Sequence, residues 1–317
     1  MLKLSAEAFN EVRAWVYRNA RQLELALWQY EFEGGSREAV LDAMAIYQNE
    51  DGGFGSAMEP DSWNPASTPY TTTFAMLFLK KIGFADANHP IVSGILRYLD
   101  SGAYFSDNGW EWSIPSNNDY AHAPWWHFEG ADSTTEFGLS ARIASFVLEV
   151  SEKDSSVYNR AIDAARKVIE RLRVSTECDA SGGNVKGTCA LLETLHKLDL
   201  LDELDAKFLP EAVQKMFKDA IVADSSKWEE YGGRPLDYIE APDSIYYKEF
   251  ESAVQEELDY LVNSRHCGGV WGITWSWYGN DEKYPKQFAI SENWWKSFRA
   301  IEIMGYLRSY GRLESQN

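Results

Sequence analysis

The chain has 317 residues, 45% of them hydrophobic and 25% charged, a balance that excludes disorder as its main state. Thirty Lys and Arg stand against 49 Asp and Glu, a net charge of −19. A surface this acidic repels phosphate backbones and anionic headgroups, so neither nucleic acid nor a membrane surface is expected as a partner. Three cysteines, Cys178, Cys189 and Cys267, fit no CxxC spacing and no disulfide framework, which reads as reduced thiols in a cytoplasm. The start turns charged at Lys3 and Glu7, unlike a signal peptide, and no window reaches the ~18 apolar residues of a membrane span.

In chain order, residues 36–48 place Val40, Leu41, Met44 and Tyr47 on one stripe, which predicts an amphipathic helix. Gln48-Asn49-Glu50-Asp51-Gly52-Gly53-Phe54-Gly55 follows as a glycine turn, with Glu50 and Asp51 read as capping side chains and a positive φ expected at Gly53. Residues 68–82 carry no polar stripe before Lys80 and predict a helix buried all round, with Pro69 in its first turn. Residues 134–150 predict a second buried helix, rich in small residues and started by the capping box Ser133-Thr134-Thr135-Glu136. Residues 156–174 put Val157, Ala161, Ala164, Ala165, Val168 and Leu172 inward on an otherwise wet helix. A helix over 185–199 follows. Residues 223–247, rich in Trp, Tyr, Gly, Pro and acids, predict a long loop, either a lid or a solvated insertion. Residues 248–264 then turn Phe250, Val254, Leu258 and Leu261 inward and Glu251, Glu256 and Glu257 outward, and 291–308 closes the set.

The glycine turn recurs in weaker form at Asp107-Asn108-Gly109-Trp110, at 179–184 and at 267–272, with spacings of 57, 73 and 86 residues. Irregular spacing of one unit means one repeat with different insertions. Wet helix, glycine turn and buried helix in repetition predict two concentric layers: an all-α, α/α toroid of five or six hairpins, spanning 1–317 as a single domain with the 223–247 loop inserted.

The segment Gln48–Gly55 resembles the QW-type repeat of squalene–hopene cyclases, oxidosqualene cyclases and protein prenyltransferase β subunits. Glu59-Pro60-Asp61 with Asn64-Pro65, Trp125-Trp126-His127-Phe128, Ala241-Pro242-Asp243-Ser244 and Trp271–Trp277 resemble segments of small single-toroid bacterial proteins related to that superfamily. The resemblance implies a toroid and an isoprenoid held in an aromatic-lined central cavity. The chain departs from the family's chemistry: no two Asp are adjacent, so the Asp-x-Asp-Asp acid and the Asp-Asp-rich diphosphate run are both missing, and no Asp-x-Cys zinc pair occurs. Squalene cyclisation is therefore not expected. No metal site or cofactor is expected, magnesium entering only with a diphosphate substrate.

Glu59 and Asp61, held by Pro60, are candidate general acid and base, or loop-shaping acceptors of backbone N–H groups. His127 is a candidate proton shuttle or a structural histidine. Trp63, Asn64, Tyr70, Trp125, Trp126, Asp243, Trp275 and Trp277 are candidate substrate contacts, where indoles stack on a sugar or face a carbocation. Trp110 and Trp271 are expected to be packing plugs. All these segments precede inner helices of the implied toroid, so Glu59, Asp61, Trp126, His127, Trp275 and Trp277 are expected at one cavity mouth. An isoprenoid is the first expected ligand. A carbohydrate, worked by the carboxylate pair and tryptophan platforms, is the alternative, and a non-catalytic scaffold the third.

Overall fold

The computed structural model describes residues 1–130, 137–174, 182–266 and 268–315. The capping box at 133–136, Cys178 and Cys267 lie outside the described residues. The chain is mostly helical. In chain order the described helices are α1 (Ala6–Asn19), α2 (Gln22–Glu33), α3 (Arg37–Ala45), α4 (Pro69–Lys81), α5 (Pro90–Asp100), α6 (Phe137–Val150), α7 (Ser156–Val174), α8 (Gly182–Lys197), α9 (Leu209–Ala220), α10 (Tyr247–Asn263), α11 (Asn280–Lys283) and α12 (Pro285–Ser309). The one described hairpin pairs Phe105–Ser106 with Gly109–Trp110. None of the described helices is long and apolar enough to cross a membrane.

Two compact units emerge. The terminal unit joins Met1–Ala43 to Ile221–Asn317, and the middle unit is Met44–Ala220. The terminal unit is stitched where the two chain ends meet: the Leu4 amide donates to the Arg312 carbonyl at 2.8 Å, and the Glu314 amide to the Leu4 carbonyl at 3.0 Å. In it α12 packs on α1, α2 and α10. In the middle unit alternate helices are neighbours, α4 beside α6 beside α8 in one row and α5 beside α7 in another.

Local sequence explains most of these elements. Thr68 caps α4 by accepting the Thr71 amide, and Pro69 occupies the first helical turn. The Val157 to Leu172 stripe of α7 is buried throughout. The helix expected over 134–150 is described from Phe137, and the one expected over 185–199 is already helical at Gly182. The glycines at 182–183 therefore do not reverse the chain. A Cβ on Gly138 would sit 2.2 Å from the Gly183 carbonyl, and one on Gly187 2.2 Å from that of Gly138. They let α6 and α8 approach backbone to backbone. The 291–308 helix starts at Pro285, so Trp294 and Trp295 lie well inside α12.

The sharp turn is structural, with one correction. Gln48 Nε2 donates to the Gly52 and Ile91 carbonyls at 2.9 and 3.0 Å, and Asp51 Oδ1 accepts the Gly53 amide at 2.9 Å and the Ser67 hydroxyl at 2.6 Å. Asp51 thus closes its own turn instead of capping a helix. The positive φ, 95°, belongs to Gly52 and not to Gly53. Gly53 is required for space: a Cβ there would meet Ser67 Cβ at 2.5 Å.

The 223–247 segment is anchored by a few buried side chains, while others, Tyr231 and Ile245 among them, stay exposed. Trp228, Leu236 and Ile239 are buried, and the Trp228 indole donates to the Val222 carbonyl at 2.6 Å. A second correction concerns α10: Glu257, expected on the wet face, is only 2% exposed. It stands one turn from Val254 and Leu261 on the inward face and finds partners there.

Candidate functional site

The middle unit brings most of the candidate residues into one loop pair. Residues 55–64 form a closed loop, its ends joined where the Ser56 amide donates to the Asn64 carbonyl at 2.8 Å. Ser56 and Ala57 both take left-handed φ values, 55° and 57°. Two consecutive non-glycine residues there cost about 1 kcal/mol or more each, and strain of this kind collects at functional loops. The loop carries Glu59 and Asp61, both 2% exposed.

A second loop lies along it. The Trp63 amide donates to the Ala121 carbonyl and the Ala123 amide to the Asp61 carbonyl, each at 2.9 Å, which leaves Ser62 opposite His122 in an antiparallel bridge. Amide side chains lock the pair. Asn64 Nδ2 donates to Asn117 Oδ1 at 2.8 Å, and Asn117 Nδ2 donates to the Trp126 carbonyl at 3.0 Å. The chain of bonds has one direction only. A carbonyl oxygen can only accept, so Asn117 must turn its NH2 to Trp126 and its oxygen to Asn64, whose own oxygen accepts the Ala66 amide at 3.0 Å. Asn64 is thus engaged in holding the loops together.

Three rings gather beside this frame. Tyr70, in the first turn of α4, has its ring centre 4.1 Å from Trp126 and 4.6 Å from Trp112, and the two indoles are 4.9 Å apart at 25°. Trp112 is anchored by its indole N–H on the Trp125 carbonyl at 3.0 Å. Trp126 is 2% exposed, and its Nε1–H meets no acceptor among the described residues. A buried donor left so costs free energy until an oxygen reaches it.

The candidates divide clearly. Glu59 accepts the Asp61 amide at 3.1 Å, so part of its carboxylate shapes the loop. Trp63 and Trp125 are half-buried, and His127 is exposed. His127 and His122 lie within hydrogen-bond distance, 3.3 Å between Nδ1 and Nε2. Asp243, Trp275 and Trp277 belong to the terminal unit. There Asp243 is exposed, Trp277 is fully buried against Phe288, and Trp275 meets Trp295 edge to face at 5.3 Å. Trp110 and Trp271 are both buried, Trp271 donating to the Leu261 carbonyl at 2.9 Å. His122, Trp112 and Asn117 were not singled out by the sequence. The small residues flanking His122 in Ala121-His122-Ala123 were the available signal, since they leave room for the facing loop.

No family of known proteins matches this chain, and no curated protein or solved structure matches it. The site is read from its own geometry. Among the described residues no three His, Cys, Asp or Glu side chains are grouped to hold a metal ion.

The terminal unit holds a separate charged cluster. Glu257 accepts the Leu236 amide at 2.7 Å and faces Arg234 at 3.5 Å, while Arg299 pairs with Asp237 at 3.4 Å and Glu302 at 3.0 Å. Burial, reinforced by the Asp237 charge, pushes the Glu257 carboxyl up to about 7.

Proposed function

We propose that the chain binds a small, oxygen-bearing isoprenoid in its middle unit and handles a proton there. The observation that carries this reading is the Tyr70, Trp112 and Trp126 cluster, in which a buried indole N–H awaits an acceptor beside a loop bearing two buried carboxylates. Half-exposed rings offer an apolar face to a prenyl chain. The indole N–H favours a ligand with an oxygen over a bare hydrocarbon. Asp61 is the acid or base and Glu59 its loop-shaping neighbour, with Trp63 and Trp125 at the rim. The alternating helix rows of the middle unit support an α/α toroid as the frame, as the Gln48–Gly55 resemblance implies. Asp243, Trp275 and Trp277, which belong to the terminal unit, are not part of this middle-unit site. Magnesium enters only if the ligand carries a diphosphate.

A carbohydrate is the second reading, favoured by the exposed His127 and the polar loop beside the rings. Titration of the full chain, followed by tryptophan fluorescence and calorimetry, separates the two. Farnesol, farnesyl diphosphate with and without magnesium, and neutral oligosaccharides are the probes. Saturable binding of farnesol that Trp112→Leu abolishes supports the first reading. Binding of oligosaccharide alone replaces it with the second, and binding of neither leaves the scaffold.

A further inference from the structure

We propose that His122 and His127 form a tautomer-locked relay, in which His122 is a positioning residue that fixes Nε2 of His127 as the basic atom offered to a ligand. His122 is 2% exposed and His127 is open to solvent. His122 Nδ1 lies 2.7 Å from the Tyr120 carbonyl oxygen, and His122 Nε2 lies 3.3 Å from His127 Nδ1. The ring centres are 5.5 Å apart and the rings 20° from parallel. That separation is close to the N···N distance plus two ring radii. The imidazoles therefore lie end to end in nearly one plane, and the contact is an in-plane hydrogen bond rather than a face-to-face stack.

The Tyr120 carbonyl places one of the protons. It only accepts, so His122 carries its hydrogen on Nδ1. In the neutral ring Nε2 is then an acceptor, which draws the His127 hydrogen to Nδ1. The Nε2 lone pair of His127 is left unprotonated. The backbone holds that ring in place: the His127 amide donates to the Pro124 carbonyl at 3.0 Å and its carbonyl accepts the Ser113 hydroxyl at 3.4 Å. Asn118 grips the next residue on both sides, accepting the Phe128 amide at 2.8 Å and donating to its carbonyl at 2.9 Å.

The use of this lone pair as a base rests on reading the loop pair as the functional site. Nε2 of His127 then takes the proton of a ligand hydroxyl, its lone pair forming the new N–H bond while the O–H electron pair stays on oxygen. The imidazolium so formed keeps donating Nδ1–H to His122, which stabilises the charge.

The test is long-range proton–nitrogen NMR on the full chain at about pH 8.5, where ordinary imidazoles are neutral. Both histidines should show a protonated Nδ1 and a bare Nε2. His122→Gln should leave the His127 tautomer unchanged, because the glutamine oxygen accepts the same hydrogen, while His122→Leu should release it toward the Nε2–H form. A wild-type His127 protonated on Nε2 would overturn the proposal, as would an unchanged tautomer in a folded His122→Leu. Should the leucine variant fail to fold, the wild-type and glutamine spectra decide. A locked tautomer supports the relay even where none of the ligand probes binds, the result that sinks the ligand reading alone.

Discussion

Glu257 faces Arg234 at 3.5 Å across the interior of the terminal unit, with the carboxylate 2% and the guanidinium 13% exposed. The pairing does not compensate for burial, since the carboxyl is pushed up to about 7 with Asp237 adding to the effect. The folded protein binds this proton more tightly than the unfolded chain. The contribution is therefore complete below the ordinary carboxylate range and is lost as pH rises through about 7. Glu257→Gln, which keeps an acceptor for the Leu236 amide, should flatten that dependence. Urea unfolding of wild type and variant at pH 4.5, 7 and 8.5 measures it: wild type should lose up to roughly 3 kcal/mol relative to the variant across the range. Parallel pH profiles would show that Glu257 titrates normally.

Asn117 joins Asn64 to Trp126, and its removal opens the loop pair. Asn117→Ala removes the Trp126 carbonyl's donor in a buried position and leaves the Asn64 amide with Ser116 Oγ, at 2.9 Å, in place of two acceptors. A loss of about 2 kcal/mol or more is expected, because unmade buried hydrogen bonds cost about 1–3 kcal/mol each. Thermal and urea denaturation check it. An unchanged midpoint would mean that the loops hold without the amide chain.

Gly52 and Gly53 should fail differently on substitution. Gly52→Ala meets both a φ of 95° and the Gly94 backbone carbonyl of α5 at 2.1 Å from the new Cβ. Gly53→Ala meets only the Ser67 side chain and the Tyr98 ring. Both should destabilise by about 1 kcal/mol or more, with Gly52→Ala the worse because a backbone carbonyl cannot turn aside. Paired melting curves give the order, and the reverse order would contradict it.

Asp61 and Glu59 are equally buried, each 2% exposed. Glu59 supports the loop through the Asp61 amide, so Glu59→Ala should lower stability by about 1 kcal/mol. Asp61→Asn is nearly isosteric and should leave the melting temperature within a few degrees while abolishing ligand binding or turnover. Retained binding in a folded Asp61→Asn would remove Asp61 from the site.

The periodic stripes of the sequence were enough to find α7 and α10, and the unbroken apolar run behind Pro69 was enough to find α4, because the spacing of apolar side chains along a helix is a local property that the chain writes directly. The turn at Gly52 was equally legible, since glycine and short polar side chains act within a few residues. The sequence also located the carboxylates and indoles of the 59–70 and 125–128 segments. Only the tertiary structure decided what those residues meet. Asn64 and Asn117 are 53 positions apart, and their bond exists because two irregular loops lie antiparallel. His122 became part of the site by facing Ser62 across that pairing. Glu257 went inward against its own charge because Arg234 and the Leu236 amide, some twenty residues upstream, were there to meet it. Periodicity records which face of an element is apolar. It carries no record of the partner that makes burying a polar group tolerable, because that partner is supplied by a distant stretch of chain.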